Sequence, residues 1–426
     1  MFRPKLTWRG VAVLGVAALA LGACAEDGDG DGNGDPGAAA GCEGTDLLIG
    51  TLLPSTGSLA FLGPPEFAGV DAAIQDLNDA GGVLDACVEV SHQDSGDTET
   101  DIASENAEAL IQEGVHAVIG AASSGVSLQF IDRLFNEGIV QVSPANTSPE
   151  FSTHPSGGFY FRTAPSDVLQ GRVLADTILA DGNETLAILA LQDSYGTGLL
   201  EFTRDAFEEL GGEVVLEEVY DPNASEFGAE AAAVVSADPD AIALITFNEF
   251  ELLAPELANA GVGPAVKDWY MVDGNLSNSY EFEPGFLEGV KGTLPGVDPA
   301  PVQEKLLAQD PSLEDYSYGP ESYDATVLVA LAAEAAGSTD PTAIRDNMAT
   351  VSGPGGTACG PGADENTTIA DCLQLLADGE DIDYFGYSGP IDWDDNGDLT
   401  AATIGIYQYG PDNTYSNLEY RFGEIG

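Results

Sequence analysis

The chain has 426 residues, room for two or three domains or one large two-lobed unit, and 44% of them are hydrophobic, enough to build real cores. It carries 72 Asp and Glu against 12 Lys and Arg, a formal net charge of −60. That balance excludes nucleic acid as a partner, because phosphate contacts need Lys and Arg, and it argues against electrostatic docking on an anionic membrane. With three His and five Cys, no metal site and no cofactor are expected.

The chain opens on an address. Arg3, Lys5 and Arg9 form a basic n-region, and Val11 to Leu21 is an apolar run too short to span a bilayer. It ends in Leu21-Gly22-Ala23-Cys24, which resembles a bacterial lipobox: cleavage would precede Cys24, and lipid on that thiol would be the only membrane anchor. The expected boundaries are a signal peptide over 1–23 and an Asp/Gly-rich tether over 24–41. Alternating Asp and Gly there invites a calcium reading, but the closing Glu is missing and a solvated tether is the simpler reading. The four remaining cysteines suit an oxidising compartment. Cys42 precedes the first strand and Cys87 begins the second, so parallel neighbours would bring them together; Cys359 and Cys372 are close in sequence. The expected bridges are Cys42–Cys87 and Cys359–Cys372.

The body alternates strands and helices. Strand 47–53, helix 66–80, strand 88–92, helix 101–113, strand 115–119, helix 127–136 and strand 139–142 predict a parallel sheet covered on both faces. After Arg162-Thr163-Ala164-Pro165 the pattern restarts: helix 168–180, strand 186–191, helix 199–210, strand 214–219, helix 227–235, strand 241–246, helix 252–260 and strand 269–272. Residues 288–295 read as a crossing segment, 320–336 as a long helix, and 402–409 with 418–422 as a terminal hairpin. The fold class is therefore α/β, with two doubly wound parallel-sheet lobes.

In such sheets ligands bind beyond the carboxyl ends of the strands. Here those ends carry small polar residues. Gly120 to Gly125, with Ser123 and Ser124, opens a helix whose N–H groups suit a carboxylate. Ser143 to Pro149 brings Asn146 and Thr147. Gln192 to Gly198 brings Tyr195, and Asp273-Gly274-Asn275 brings an acid. One half offers hydroxyls and amides, the other an aromatic hydroxyl and a carboxylate, a pairing that suits a zwitterion. Each Ser, Thr or Asp alone would more often be a helix cap.

These stretches, with Glu66-Phe67-Ala68-Gly69, Gly81-Gly82, Phe161-Arg162-Thr163, Tyr323-Asp324-Ala325 and Gly389-Pro390-Ile391, keep the order seen in type I solute-binding proteins of ABC importers. From Leu47 to Phe422 the chain resembles their leucine/isoleucine/valine-binding family. The resemblance implies two lobes, 42–163 with 295–388 and 164–294 with 389–426, joined by a three-segment hinge crossing near Thr163, Gly292 and Gly389. It implies that Ser124 and Thr147 hold the ligand's α-carboxylate, helped by Ser123 and the backbone of Ala122 and Asn146, and that Asp273 pairs with the α-ammonium. Tyr195, Phe247 and Tyr323 would wall the pocket. Leu62, or Phe61 if the loop shifts, stands where the family has a first-lobe aromatic. The implied partners are an amino acid and an ABC permease, acting on a monomer at the outer face of the cell membrane.

The competing classes are an enzyme and a sensor ectodomain. His92 is the tempting base, but no G-x-S-x-G elbow accompanies it and no enzyme is expected. A sensor would continue into a membrane span, which this sequence lacks; presentation of ligand to a separate sensor stays open. An amide, a urea or an aromatic carboxylate is the alternative ligand. Asp392 to Asp398 resembles the start of a calcium loop without its closing Glu, and reads as an Asn-Gly turn. The surplus acid, with Lys scarce, points to a saline habitat in which salt screens self-repulsion.

Overall fold

A computed structural model describes Cys42, residues 44–364 and residues 366–425, which belong to one compact unit. The expected signal peptide 1–23, the lipidation residue Cys24 and the tether 24–41 lie outside the described residues. The first lobe runs through β1 (Thr45–Leu53), α1 (Gly63–Asp79), β2 (Cys87–Asp94), α2 (Ile102–Glu113), β3 (Ala117–Gly120), α3 (Ser124–Glu137), β4 (Val140–Ser143) and β5 (Tyr160–Arg162). These strands form one parallel sheet in the order β2-β1-β3-β4-β5. All four residues of β3 and of β4 are buried, as a strand covered on both faces requires.

The second lobe runs through α4 (Asp167–Ala180), β6 (Thr185–Leu191), α5 (Ser194–Glu209), β7 (Glu213–Tyr220), α6 (Gly228–Ala237), β8 (Ala241–Ile245), α7 (Phe250–Asn259), β9 (Asp268–Met271) and β10 (Lys291–Pro295). The chain then returns to the first lobe with α8 (Ala300–Gln309), α9 (Gly319–Ala336), α10 (Pro341–Met348), β11 (Thr357–Cys359), α11 (Ile369–Ala377), β12 (Ile382–Gly386) and β13 (Gly389–Pro390). Helix α9 is apolar around most of its circumference because it is enclosed by the first-lobe sheet, α1, α10 and α11. Strands β14 (Ala401–Tyr409) and β15 (Tyr415–Glu424) complete the second sheet, whose order is β15-β14-β10-β9-β8-β6-β7. A small third sheet joins β11, β12 and β13.

The chain passes between the sheets at 163–166, 296–299 and 391–400. Gly292 and Gly389 are not themselves at the crossings. Gly292 is inside β10, paired with Tyr407, because its missing Cβ lets Leu276 pack at close range. Gly389 turns the β12–β13 hairpin instead. Two of the crossings are tied together by Arg162, which is fully buried. Its Nε donates to Asp398 Oδ1 at 2.7 Å, its backbone N–H donates to Gly397 O at 3.1 Å, and its own carbonyl accepts from Trp393 Nε1 at 2.7 Å. Asp398 is thus an ion-pair partner, and the Asp394–Gly397 turn is closed by Asp394 accepting from the Asn396 and Asp398 amides. Gly397 has φ +82°, and a Cβ there would fall 2.2 Å from Tyr160 O, so this turn admits only glycine.

Both disulfides form. Cys42–Cys87 joins the segment before β1 to the start of β2, its parallel neighbour, with Cα atoms 5.1 Å apart; Cys359–Cys372 joins β11 to α11. No helix among the described residues is long and apolar enough to cross a membrane.

Candidate ligand-binding site

The lobes meet across the carboxyl ends of β3, β4, β6 and β8, and a bond from Ser148 Oγ to Ser194 O at 2.9 Å crosses between them. The cavity between the lobes is lined by Leu59, Leu62, Ala122, Ser123, Ser124 and Ala145 from the first lobe, by Tyr195, Phe247, Asp273 and Gly274 from the second, and by Tyr318. It retains a free volume of about 10 Å³, so an amino-acid-sized molecule enters only after the lobes part.

On the first-lobe side, Ser123 is the N-cap of α3: its Oγ accepts from Val126 N at 3.4 Å, the capping role that a lone Ser usually fills. Ser124 begins the helix, and its Oγ accepts from Ser148 N at 3.2 Å. The Thr147 hydroxyl is fully buried beside the Asp167 carboxyl, just outside strict hydrogen-bond geometry. Asn146 holds the wall together rather than offering itself. Its Nδ2 donates to Ala121 O and Ala122 O, its Oδ1 accepts from Tyr160, and its backbone N–H already donates to Ser143 Oγ at 2.9 Å. The backbone help implied for Asn146 is therefore spent inside the lobe.

On the opposite side, Asp273 follows β9 and is 5% exposed. Its Oδ1 accepts from Gln170 Nε2 at 2.7 Å and Tyr195 Oη at 2.8 Å; its Oδ2 accepts from Tyr318 Oη at 2.8 Å. Every partner is neutral. Burial raises the Asp273 pKa, and the three donors oppose the rise by favouring the charged form. Tyr195 and Tyr318 are pushed up by burial and then by Asp273 itself. The Tyr195 ring stacks on Phe247 with centroids 5.6 Å apart, giving an apolar face beside the acid. A second acid, Asp167 at the start of α4, is fully buried, and neither of its oxygens has a partner within bonding geometry. Burial raises its pKa most, Asp273 raises it further, and Thr147 and Arg162 oppose this.

Of the sequence-predicted residues, Leu62, Ala122, Ser123, Ser124, Tyr195, Phe247 and Asp273 line this one cavity, while Asn146 and Thr147 lie behind its lining and Tyr323 is turned away. That side chain points the other way, its Oη donating to Asp76 on α1 at 2.5 Å. The aromatic that reaches the cleft is Tyr318, five positions earlier, just before the first turn of α9, where a left-handed backbone at φ +60° turns it out of helical register. The Pro320 that starts the helix was the available signal. Leu59 joins Leu62 on the wall, and Phe61 does not line it. Gln170, Tyr318, Asp167 and Arg162 were not anticipated as site residues. His92 lies on the edge strand β2, between Thr51 Oγ1 at 2.9 Å and Asp71 Oδ1 at 3.0 Å, and lines no wall of this cavity. Among the described residues no group of His, Cys, Asp and Glu is arranged to hold a metal ion.

Two parallel-sheet lobes hinged by three crossings, with a polar cavity at the strand ends, define a solute-binding architecture. Residues 47–375 match the periplasmic binding protein family. A Leu/Ile/Val-binding protein homolog 1 of Brucella suis biovar 1 is 30% identical over 314 residues, covering 71% of this chain and 82% of the relative. The chemotactic signal transduction system substrate-binding protein BasB of Halobacterium salinarum is 27% identical over 383 residues, 86% of each chain. The branched-chain amino acid transporter substrate binding protein LivJ from Streptococcus pneumoniae, solved in complex with isoleucine, superimposes with a TM-score of 0.71 at 19% identity, over 89% of this chain and 99% of that one. The chain belongs to the periplasmic binding protein family of type I, in its leucine/isoleucine/valine-binding group.

Proposed function

We propose that this protein captures an apolar amino acid, of the branched-chain kind, between its closing lobes and delivers it to an ABC importer in the membrane. The observation that carries this reading is Asp273, a buried carboxylate in the cleft whose partners are all neutral donors. An α-ammonium would supply the missing positive charge. Ser124 on the opposite wall, with Thr147, would hold the α-carboxylate, and Leu59, Leu62 and Phe247 supply apolar surface for the side chain. Anchoring through lipid on Cys24 follows from the Leu21–Cys24 motif, and detergent-phase partitioning lost in a Cys24→Ser variant would test it.

Calorimetric titration with leucine, isoleucine and valine, beside 4-methylpentanoate and benzoate, tests the ligand. Amino acids are expected to bind, and the acids lacking an ammonium to bind at least about 100-fold more weakly. Equal binding of 4-methylpentanoate and leucine would overturn the reading in favour of a plain carboxylate ligand. The likeness to BasB over 86% of both chains supports a second use of the same site, presentation of ligand to a sensor.

A further inference from the structure

A second cavity, of about 260 Å³, opens beside the hinge. Its walls come from three sources: the crossing segment 295–299, residues 314–321 leading into α9 of the first lobe, and Tyr407, Tyr415 and Tyr420 of the second-lobe hairpin. The ring of Tyr318 borders both this cavity and the ligand cleft. Four carboxylates line the hinge cavity, Asp298, Glu314, Asp315 and Glu321, and no Lys, Arg or His does.

One of the lining groups is left without a countercharge by the fold. The Ser317 hydroxyl is buried beside Tyr415. Glu321 is 2% exposed, no cation answers its carboxylate, and its own backbone N–H donates to it. Its Oε1 lies against Gly296, where a Cβ would come within 2.6 Å, so the crossing segment leaves room for this side chain by having none of its own. Asp315 is in the opposite condition: it accepts from Asn278 and from Tyr415 Oη, which fixes the Tyr415 ring in the wall. The Tyr407 ring meets Tyr415 edge to face at 5.2 Å and Tyr420 at 6.4 Å.

A buried carboxyl group that can give up its proton beside aromatic rings is chemistry that holds an organic cation. A compact metal ion would need convergent oxygen ligands, and the described residues include no such group. We propose that the hinge cavity is a second binding site, for a small organic ammonium ion held by Glu321 and the tyrosine faces.

Tetramethylammonium chloride, titrated calorimetrically against a sodium chloride control of equal ionic strength, tests this. The titration is run on the wild type and on Asp273→Asn, so that the cleft does not compete. Saturable one-site binding is expected in both proteins, weakened about tenfold or more by Glu321→Gln and less by Tyr420→Ala. A second readout needs no variant. Burial pushes Glu321 up to about 8, Asp324 adds to the rise, and its own amide opposes it. The other titratable groups around it are Glu66 on α1, Tyr318 and Tyr407. At about pH 7 it therefore holds its proton, and a bound cation should expel that proton to the buffer, making the measured heat depend on the buffer's ionisation enthalpy. Heats matching the sodium control, or binding with no proton release and no loss in Glu321→Gln, would overturn the proposal.

Discussion

The two walls of the ligand cleft are built on opposite principles. The first-lobe wall is neutral, and most of its hydrogen-bonding capacity is consumed internally: Ser123 caps α3, Asn146 ties two loops together, and Thr147 sets its hydroxyl beside Asp167. The second wall is acidic and under-compensated, with Asp273 held by Gln170, Tyr195 and Tyr318, and Asp167 held by nothing within bonding geometry. A neutral wall can be satisfied by its own lobe. A buried anion cannot, so on the proposed function the second wall would set specificity and the first would orient the ligand.

Removing the charge should break the contrast most sharply. Asp273→Asn keeps shape and some hydrogen bonding, yet should weaken amino-acid binding about 100-fold by calorimetry. A loss no larger than that of a hydroxyl would mean the acid is structural. Ser124→Ala and Thr147→Ala should each cost about tenfold, the worth of one hydrogen bond to a charged group. The buried acids also predict a pH dependence. Asp324 is pushed to about 6 and Glu321 to about 8 by burial, and Asp167 and Glu66 are raised in the same direction. Folded pKa values above the unfolded ones mean the native state binds more protons, so stability is full near pH 4 and is lost as pH rises through these values. In molar NaCl, which screens surface repulsion, the melting temperature should fall by about 5 °C or more between about pH 5 and pH 8. A flat profile there would show that these acids ionise freely. Tyr195→Phe should have the smallest effect, about threefold on affinity, because it removes one of three neutral donors to Asp273.

The fold was largely legible in the sequence because its strands are short apolar runs ending in small polar residues, as at Ala117 to Gly120 and Ala241 to Ile245. Strands β5, β11 and β13 were not, since two or three residues carry no period. Of the site, Ser124, Thr147, Tyr195 and Asp273 could be read because each follows a strand. Gln170 and Tyr318 could not, because they reach Asp273 from α4 and from the start of α9, 103 and 45 positions away. The misplaced Tyr323 shows the limit of motif order: it locates the helix, and the backbone just ahead of the helix decides which tyrosine lines the cleft.

Arg162 has a mechanical consequence. Because its main chain and guanidinium fasten residues 162–163 to 393–398 by three bonds, two of the three crossings behave as one rivet rather than two strings. With the 296–299 segment as the other support, this geometry should favour flexing about a single axis over shearing or swivelling of one lobe on the other. Each opening would then retrace the same arc, and the hydroxyl and carboxylate walls would come back into register without searching for it.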